Sequence, residues 1–444
     1  MVSSLKPEKL LVIAILVFLA AAGTNLFYHA FAIDEYTYMN SAQAMADGSF
    51  SHSIDSTRFP FLPFTLSLFL RVLGDVELVS KLFSLAAGVA GILLTYALAK
   101  RLAGKDAGAY SAAIVATNPL YIFLAAKVLT EPLFITLFAA FALLVVIALE
   151  KPRFLAAAGG VLALGTLARF NALIFLVPAA VLFVWRKRLA PSAKWVAAAG
   201  VVFIVVLLPY LLFSVSVTGD PVGLAKEFLA SQARVDPSYY SLPDRIPSNL
   251  LFVPLVLGAF APVFLYALWK YRKKLGEPSL AFPLVFALSY AIVFELYAFA
   301  NFALLRYIAV VIPFVAIPCG VLLAREKAWK GISLKKIALV FALLNVLIGI
   351  AAVGYFGTMY AKHLDYADVG KQVTAACQGV VFSNVPTVVD HYYAGQVEHD
   401  YEWLSANSSQ CIFKSGYDYW GGPRELVGYE TFYIRGGVTL FRKS

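Results

Sequence analysis

Ionisable residues recur at the ends of long apolar runs in this chain. Asp34 and Glu35 follow the first run, Lys127 and Glu131 lie between the third and fourth, and Arg169 lies between the fifth and sixth. Glu295 falls within the ninth run and Arg306 at the head of the tenth. Charge at membrane depth is costly, so such groups pair with one another or line a wet cavity. Structural pairing alone explains any one of them. Acids in the first turn of a helix suit its dipole, and an arginine at a helix end can snorkel to the interface. Charges at five helix ends on one side of a membrane point instead to a shared polar cavity. Its carboxylates suit proton transfer and its cations suit an anion. A lipid phosphate fits such a place, with its tail in the bilayer and its head group in water.

The elements that must position these residues are membrane helices. The chain has 444 residues, of which 61% are hydrophobic and 14% charged; an ordinary soluble domain is about 25% charged. A helix needs ~20 apolar residues to cross ~30 Å of hydrocarbon. About eleven such spans are legible, at 10–28, 78–98, 107–125, 132–149, 154–168, 172–185, 195–215, 250–269, 280–299, 304–323 and 337–356. Lys6 and Lys9 precede the first, and later Lys/Arg clusters at 100–105, 151–153, 186–188, 270–274 and 325–336 fall on the same side if the count is eleven. Positive residues mark the cytoplasmic side, so the N-terminus is expected to be cytoplasmic and the C-terminus external. The net charge of +10 is this bias and gives no argument for nucleic acid. The first span reads as an uncleaved anchor. It exceeds a typical signal-peptide core, and Asp34 follows too closely on Ala20-Ala21-Ala22 for the helix to be disposable.

The expected organisation is a membrane domain at 1–356, with external loops at 30–77 and 216–249, followed by an external domain at 357–444. Cytoplasmic loops are short and basic, so the chemistry is external. In the first loop a helix opens at Asp34 and carries Tyr38, Ala42 and Met45 on one face. Phe59-Pro60-Phe61-Leu62-Pro63 then leads into FTLSLFLRVLG. That run of about 12 residues reaches only ~18 Å and reads as an interfacial or re-entrant helix. In the tail, 366–377 has a helical pattern, while 379–383, 411–415 and 430–443 read as strands, the last a hairpin about Gly436-Gly437. Cys377 and Cys411 both lie there, where the compartment permits a disulfide; free thiols fit the sequence nearly as well. Cys319 lies in a span and reads as packing. Asn407-Ser408-Ser409 is a glycosylation sequon on the external side.

Several segments carry a resemblance: DEYTYMNSAQAMADG, RFPFLPFTLSLFLRVLG, KVLTEPLF, ARFNALIFLVP and LLRYIAVVIPFVAIP. In order and placement they resemble the motif series of the GT-C glycosyltransferases, in particular the protein O-mannosyltransferase and aminoarabinose transferase group (glycosyltransferase family 39-like). The resemblance covers about 10–356 and leaves the tail out. It implies an all-α polytopic membrane fold, the GT-C fold, here with about eleven transmembrane helices and a small external C-terminal α/β domain. It also implies transfer of a sugar from a polyprenyl-phosphate donor to a protein, lipid or polysaccharide acceptor, with inversion.

By the same resemblance Asp34 matches the first acid of the family's acidic pair and is the expected general base, and Glu35 would orient it or bind sugar. A base must reach within about 2.6–3.2 Å of the proton it takes. Glu131 matches the acid of the Thr-Glu-Pro segment, a region that supplies a metal ligand in metal-dependent relatives. Two acids without a histidine or a third carboxylate make a poor site, so no metal ligand and no cofactor is assigned, and a divalent ion is left open. Positive charge must receive the departing phosphate, and arginine favours bidentate phosphate contact. Arg306 comes first for that role and Arg169 second, followed by Lys127 and Arg58. Tyr38, His52 and Glu295 are candidates on the substrate side, although a lone loop histidine is more often incidental and Glu295 could simply neutralise an arginine. A secondary transporter is the competing class. It would bind at the midplane on broken helices and often show repeats, whereas here the charges sit at one interface and no repeat is visible. A lipid-sugar ligase or polymerase with the same carrier is a second alternative, and a non-catalytic relative that binds through its tail is a third.

Overall fold

Where lipid is the solvent, a segment must satisfy its own backbone hydrogen bonds, so apolar runs fold as helices. The computed structural model describes residues 6–28, 33–48, 59–185, 193–227, 256–300, 305–326, 328–329, 331–357, 360–383, 385–393, 397–399, 411–415, 429–436 and 438–443. The helices are α1 (Pro7–Ala22), α2 (Ile33–Ala46), α3 (Phe61–Leu73), α4 (Val76–Ala103), α5 (Lys105–Ala116), α6 (Pro119–Ala125), α7 (Thr130–Ala148) and α8 (Phe154–Ala168). They continue as α9 (Leu176–Trp185), α10 (Ala193–Thr218), α11 (Ala261–Lys270), α12 (Pro278–Ala300), α13 (Ile312–Arg325), α14 (Leu334–Gly357), α15 (Tyr360–Ala376) and α16 (Pro386–Tyr392). The strands are β1 (Ala328–Trp329), β2 (Ile332–Ser333), β3 (Val381–Ser383), β4 (Val397–His399), β5 (Cys411–Ser415), β6 (Tyr429–Arg435) and β7 (Val438–Lys443).

Among the described residues, six helices are long and apolar enough to cross a membrane, and α5 with α6 makes a seventh if that bent pair is one span. This is a multi-pass membrane protein. Shorter apolar helices cover Phe154–Ala168, Phe170–Val184 and Pro278–Phe294, and α3 is the short apolar helix expected after the Phe-Pro segment. The expected span at 107–125 is not straight: α5 and α6 meet at 65°. Pro119, in the first turn of α6, has no N–H to continue the ladder. The Asn118 side chain caps the new helix by accepting from the Tyr121 amide at 2.9 Å, and its amide nitrogen donates to the Val256 carbonyl. The expected span at 250–269 is described from Val256 onward, as a short 3-10 turn and α11.

The chain forms two compact units. The first comprises Met1–Thr24, Ile54–Phe64 and Lys81–Val353. Its helices approach closely through small residues, as membrane helices do when dispersion and shape drive their association. At Gly91 of α4 a Cβ would lie 2.2 Å from the Tyr121 hydroxyl and 3.0 Å from Thr136 Oγ1. Those two side chains donate to the Gly88 and Ala87 carbonyls at 2.7 and 2.6 Å. Phe138 centres the aromatic core, stacked on Phe175 at 4.0 Å and tilted against Phe314 at 4.7 Å.

The second unit comprises Asn25–Ser53, Thr65–Ser80 and Gly354–Ser444. Its mixed sheet runs β4-β3-β5-β7-β6, with β3 parallel to β4 and β5, and β7 antiparallel to β5 and β6. The hairpin turns at Gly436, whose φ of +53° suits glycine. α15 packs on the sheet, with Tyr366 against Phe413 at 6.3 Å, and Arg435 of β6 pairs with Asp365 and Asp368. A disulfide joins Cys377 to Cys411, which resolves the alternative that the sequence left open.

Candidate active site

In the first unit three charged groups from distant segments converge. Glu131 sits in the first turn of α7, where the positive end of the helix dipole favours a carboxylate. Arg169 is the residue at which the chain leaves α8. Its backbone is extended (φ −158°, ψ 128°), and it feeds the 3-10 turn Phe170–Phe175. Arg306 lies in a second 3-10 turn, Leu305–Val311, just before Pro313 opens α13. Arg169 Nη1 lies 3.1 Å and Arg306 Nε 3.0 Å from the same oxygen, Glu131 Oε1. The Arg306 contact is an ion contact without hydrogen-bond alignment, and both of its atoms are buried.

Tyr307 lies between the two guanidiniums, its ring centroid 3.9 Å from Arg169 and 5.7 Å from Arg306. A phenol ring facing a guanidinium adds cation–π attraction and lends it a fixed plane. Phe134, one turn beyond Glu131, lies 5.8 Å from Arg169. Phe59 stacks on Phe170 at 6.3 Å, so the residue next to Arg169 is braced by the Phe-Pro segment. The Tyr290 hydroxyl approaches the Tyr307 carbonyl at 3.4 Å. The Glu131 side chain is 2% exposed, Arg169 15% and Arg306 25%. An incoming anion would therefore meet the arginines and not the glutamate. One carboxylate faces two guanidiniums here, and Lys127, buried on the turn into α7, is a further cationic residue of this unit.

In the second unit α2 opens with Asp34, half-buried, and Glu35, fully buried. Tyr38, Ala42 and Met45 are buried as their spacing predicts, together with Tyr36 and Met39. α2 packs against α16. The Tyr36 ring meets the edge of His391 at 5.2 Å, and His391 Nδ1 lies 2.9 Å from Asn40 Oδ1. Burial pushes the Tyr36 phenol far above its usual range and Tyr392 up to about 12. Burial also pushes His391 down, against the opposing charge of Glu77.

Of the residues expected from sequence, Glu131, Arg169 and Arg306 come together, while Asp34, Glu35 and Tyr38 share α2. Arg58 and His52 lie outside the described residues, as does the Glu295 side chain, although the backbone at 295 is part of α12. Among the described residues no group of three or more His, Cys, Asp or Glu is placed to hold a metal. Sequence reasoning missed Tyr307, whose only signal was its place beside Arg306 in LLRY. It also missed Asn171, whose side-chain oxygen is buried without a hydrogen-bond partner two residues after Arg169. His391 had no local signal at all.

Residues 55–213 match the family model described as dolichyl-phosphate-mannose-protein mannosyltransferase. None of the curated proteins matches the chain by sequence. Among solved structures, ArnT from Cupriavidus metallidurans in the apo state superposes with a TM-score of 0.72 at 15% identity, over 97% of each chain. The chain has the GT-C fold. ArnT bound to undecaprenyl phosphate gives 0.68 at 14% identity, over 98% of this chain and 97% of that one. The archaeal oligosaccharyltransferase AglB from Archaeoglobus fulgidus, in complex with an inhibitory peptide and a dolichol-phosphate, gives 0.60 at 13% identity, over 92% of this chain and 69% of AglB. The GT-C likeness to ArnT thus extends through the tail, which the sequence motifs did not cover. The family-model match includes Lys127, Glu131 and Arg169 and leaves out Asp34 and Arg306.

Proposed function

We propose that the protein is an inverting glycosyltransferase that moves a sugar from a polyprenyl-phosphate carrier to an acceptor at the external face of the membrane. The observation that carries this reading is the convergence of Arg169 and Arg306 on Glu131. Breaking a sugar–phosphate bond leaves negative charge on the phosphate. Cations already in place stabilise that charge without reorganising during the reaction, which is usually the largest electrostatic contribution to catalysis. Glu131 and Tyr307 hold the guanidiniums in place before the lipid arrives. Glu131 is then a positioning counter-ion.

Asp34 serves as the base. The N-terminal turn of α2 favours its ionised form, so it is ready to accept a proton. The acceptor hydroxyl oxygen bonds to the anomeric carbon as the bond from that carbon to the phosphate oxygen breaks. The hydroxyl proton goes to Asp34 and the bonding pair leaves with the lipid phosphate. Glu35 steadies the start of the helix. The relatives support the choice of carrier, since ArnT has been seen with undecaprenyl phosphate and AglB with dolichol-phosphate. The positive-inside distribution of Lys and Arg supports a cytoplasmic N-terminus and an external tail. The disulfide supports an oxidising compartment for the tail.

The test uses purified protein in lipid nanodiscs with radiolabelled polyprenyl-phosphate mannose and peptide or lipid acceptors, following release of polyprenyl phosphate. Asp34→Asn is expected to lower turnover by about 10²–10⁴, the usual contribution of a general base, and to retain undecaprenyl phosphate binding. Wild-type turnover in that variant would remove Asp34 from the mechanism.

A further inference from the structure

The tail contains a half-buried histidine with no place in the chemistry above. His391 lies in the last turn of α16 and rests on α2, the helix that begins with the two acids. Its Nδ1 is 2.9 Å from the side-chain oxygen of Asn40. An amide oxygen can only accept, so Nδ1 carries the hydrogen and donates it. The Tyr36 ring seals one side of the imidazole. Asn40 stands six residues beyond Asp34, less than two turns along the same helix.

Behind His391 the contacts are stiff. At Gly370 of α15 a Cβ would lie 2.5 Å from the Tyr392 ring, so the two helices touch through a residue with no side chain. Thr374 Oγ1 donates to the Tyr392 carbonyl at 2.9 Å. α15 packs on β6 and β7, and the disulfide joins Cys377, just past its end, to β5. An unbroken series of packed elements therefore runs from the sheet through α15 and α16 to α2.

We propose that His391 is a positioning residue: by holding Asn40, it lets the sheet domain fix the rotation and slide of α2 and hence the direction of the Asp34 carboxylate. The proposal rests on the reading of Asp34 as the proton acceptor. Among the described residues, the titratable groups acting on or touching the imidazole are Glu77 at the start of α4, Tyr36 of α2 and Tyr392 beside it, while α15 contributes Gly370 and Thr374, which do not titrate. Burial outweighs the attraction of Glu77 and keeps the ring neutral. The sign follows. A histidine whose pKa is lowered on folding supports the packing above its ordinary pKa of about 6.5. That support is lost as the pH falls through the lowered value.

The experiment is hydrogen exchange of the full chain in nanodiscs, read on peptides covering 33–46 and 411–443. His391→Ala should speed exchange of 33–46 about tenfold, as expected for one lost part-buried hydrogen bond, and leave 411–443 protected. His391→Asn keeps a donor for Asn40. It should preserve protection and abolish the acid-induced rise expected of the wild type. Asn40→Leu, made outside the sheet domain, should match His391→Ala. In the transfer assay His391→Ala should lower kcat and leave KM for polyprenyl-phosphate mannose unchanged. Wild-type exchange of 33–46 in His391→Ala would overturn the proposal, and so would a rise spread equally over 411–443 in all three variants. Asp34→Asn should lose turnover with 33–46 still protected. Normal turnover there would remove Asp34 as the proton acceptor and leave the exchange result standing, so the two failures are distinguishable.

Discussion

Replacing Glu131 with glutamine separates a counter-ion from a catalytic acid. The carboxylate oxygen contacts Arg169 at 3.1 Å and Arg306 at 3.0 Å. At an effective dielectric constant of ~20 each contact amounts to ~5 kcal/mol of gross Coulomb attraction. Desolvation of the buried groups offsets most of it, and removing one partner of a buried pair costs a net ~3–5 kcal/mol. The guanidiniums are 15% and 25% exposed, so water relieves part of the loss and the lower end applies. At ~2–4 °C per kcal/mol, Glu131→Gln should melt roughly 6–12 °C below the wild type in nanodiscs, followed by intrinsic fluorescence. The variant also removes the carboxylate that competes with an incoming anion for both guanidiniums. Undecaprenyl phosphate should therefore bind at least ~10-fold more tightly than to the wild type, a gain of about 1.4 kcal/mol, and restore much of the lost stability. A catalytic acid would behave otherwise. Turnover would vanish while melting and lipid affinity stayed put, and that pattern would refute the counter-ion reasoning.

Three further outcomes follow from other contacts. Tyr307→Leu removes the ring that faces both guanidiniums and should weaken undecaprenyl phosphate binding by ~1–2 kcal/mol, whereas Tyr307→Phe should bind as the wild type does, since the effect belongs to the ring face. Cys411→Ser opens a crosslink spanning 34 residues, worth about 4 kcal/mol by loop-closure entropy; limited proteolysis should then cut the tail first and leave the membrane helices intact. Gly91→Val drives a side chain into the Tyr121 hydroxyl at 2.2 Å and should cost at least ~1–3 kcal/mol by overpacking, read as a lower melting temperature of the first unit, with the tail's resistance to protease unchanged.

The bilayer made much of the fold legible. It demands long apolar helices and penalises every stray charge, so spans and candidate site residues both appear as one-dimensional patterns. Each expected span is largely helical where its residues are described, the span at 107–125 being broken at Thr117-Asn118. The hairpin at Gly436 was legible for a similar reason, since a tight turn imposes its own residue chemistry. The bend at Asn118-Pro119 was harder to read, because one proline permits either a kink or a straight continuation, and the Asn118 amide is satisfied by a carbonyl 138 positions away.

The sequence by itself determined that this is a membrane protein with acids and arginines at helix ends, because hydrophobic length and the cost of buried charge act locally along the chain. It could not say which charges meet. Glu131 binds arginines from α8 and from the turn before α13, and His391 reaches an asparagine 351 positions earlier. Those pairings depend on how helices pack and on which side chain fills the space between them. Only the tertiary structure decides that, because ion pairs and hydrogen bonds act over a few ångströms in space and are indifferent to separation along the chain.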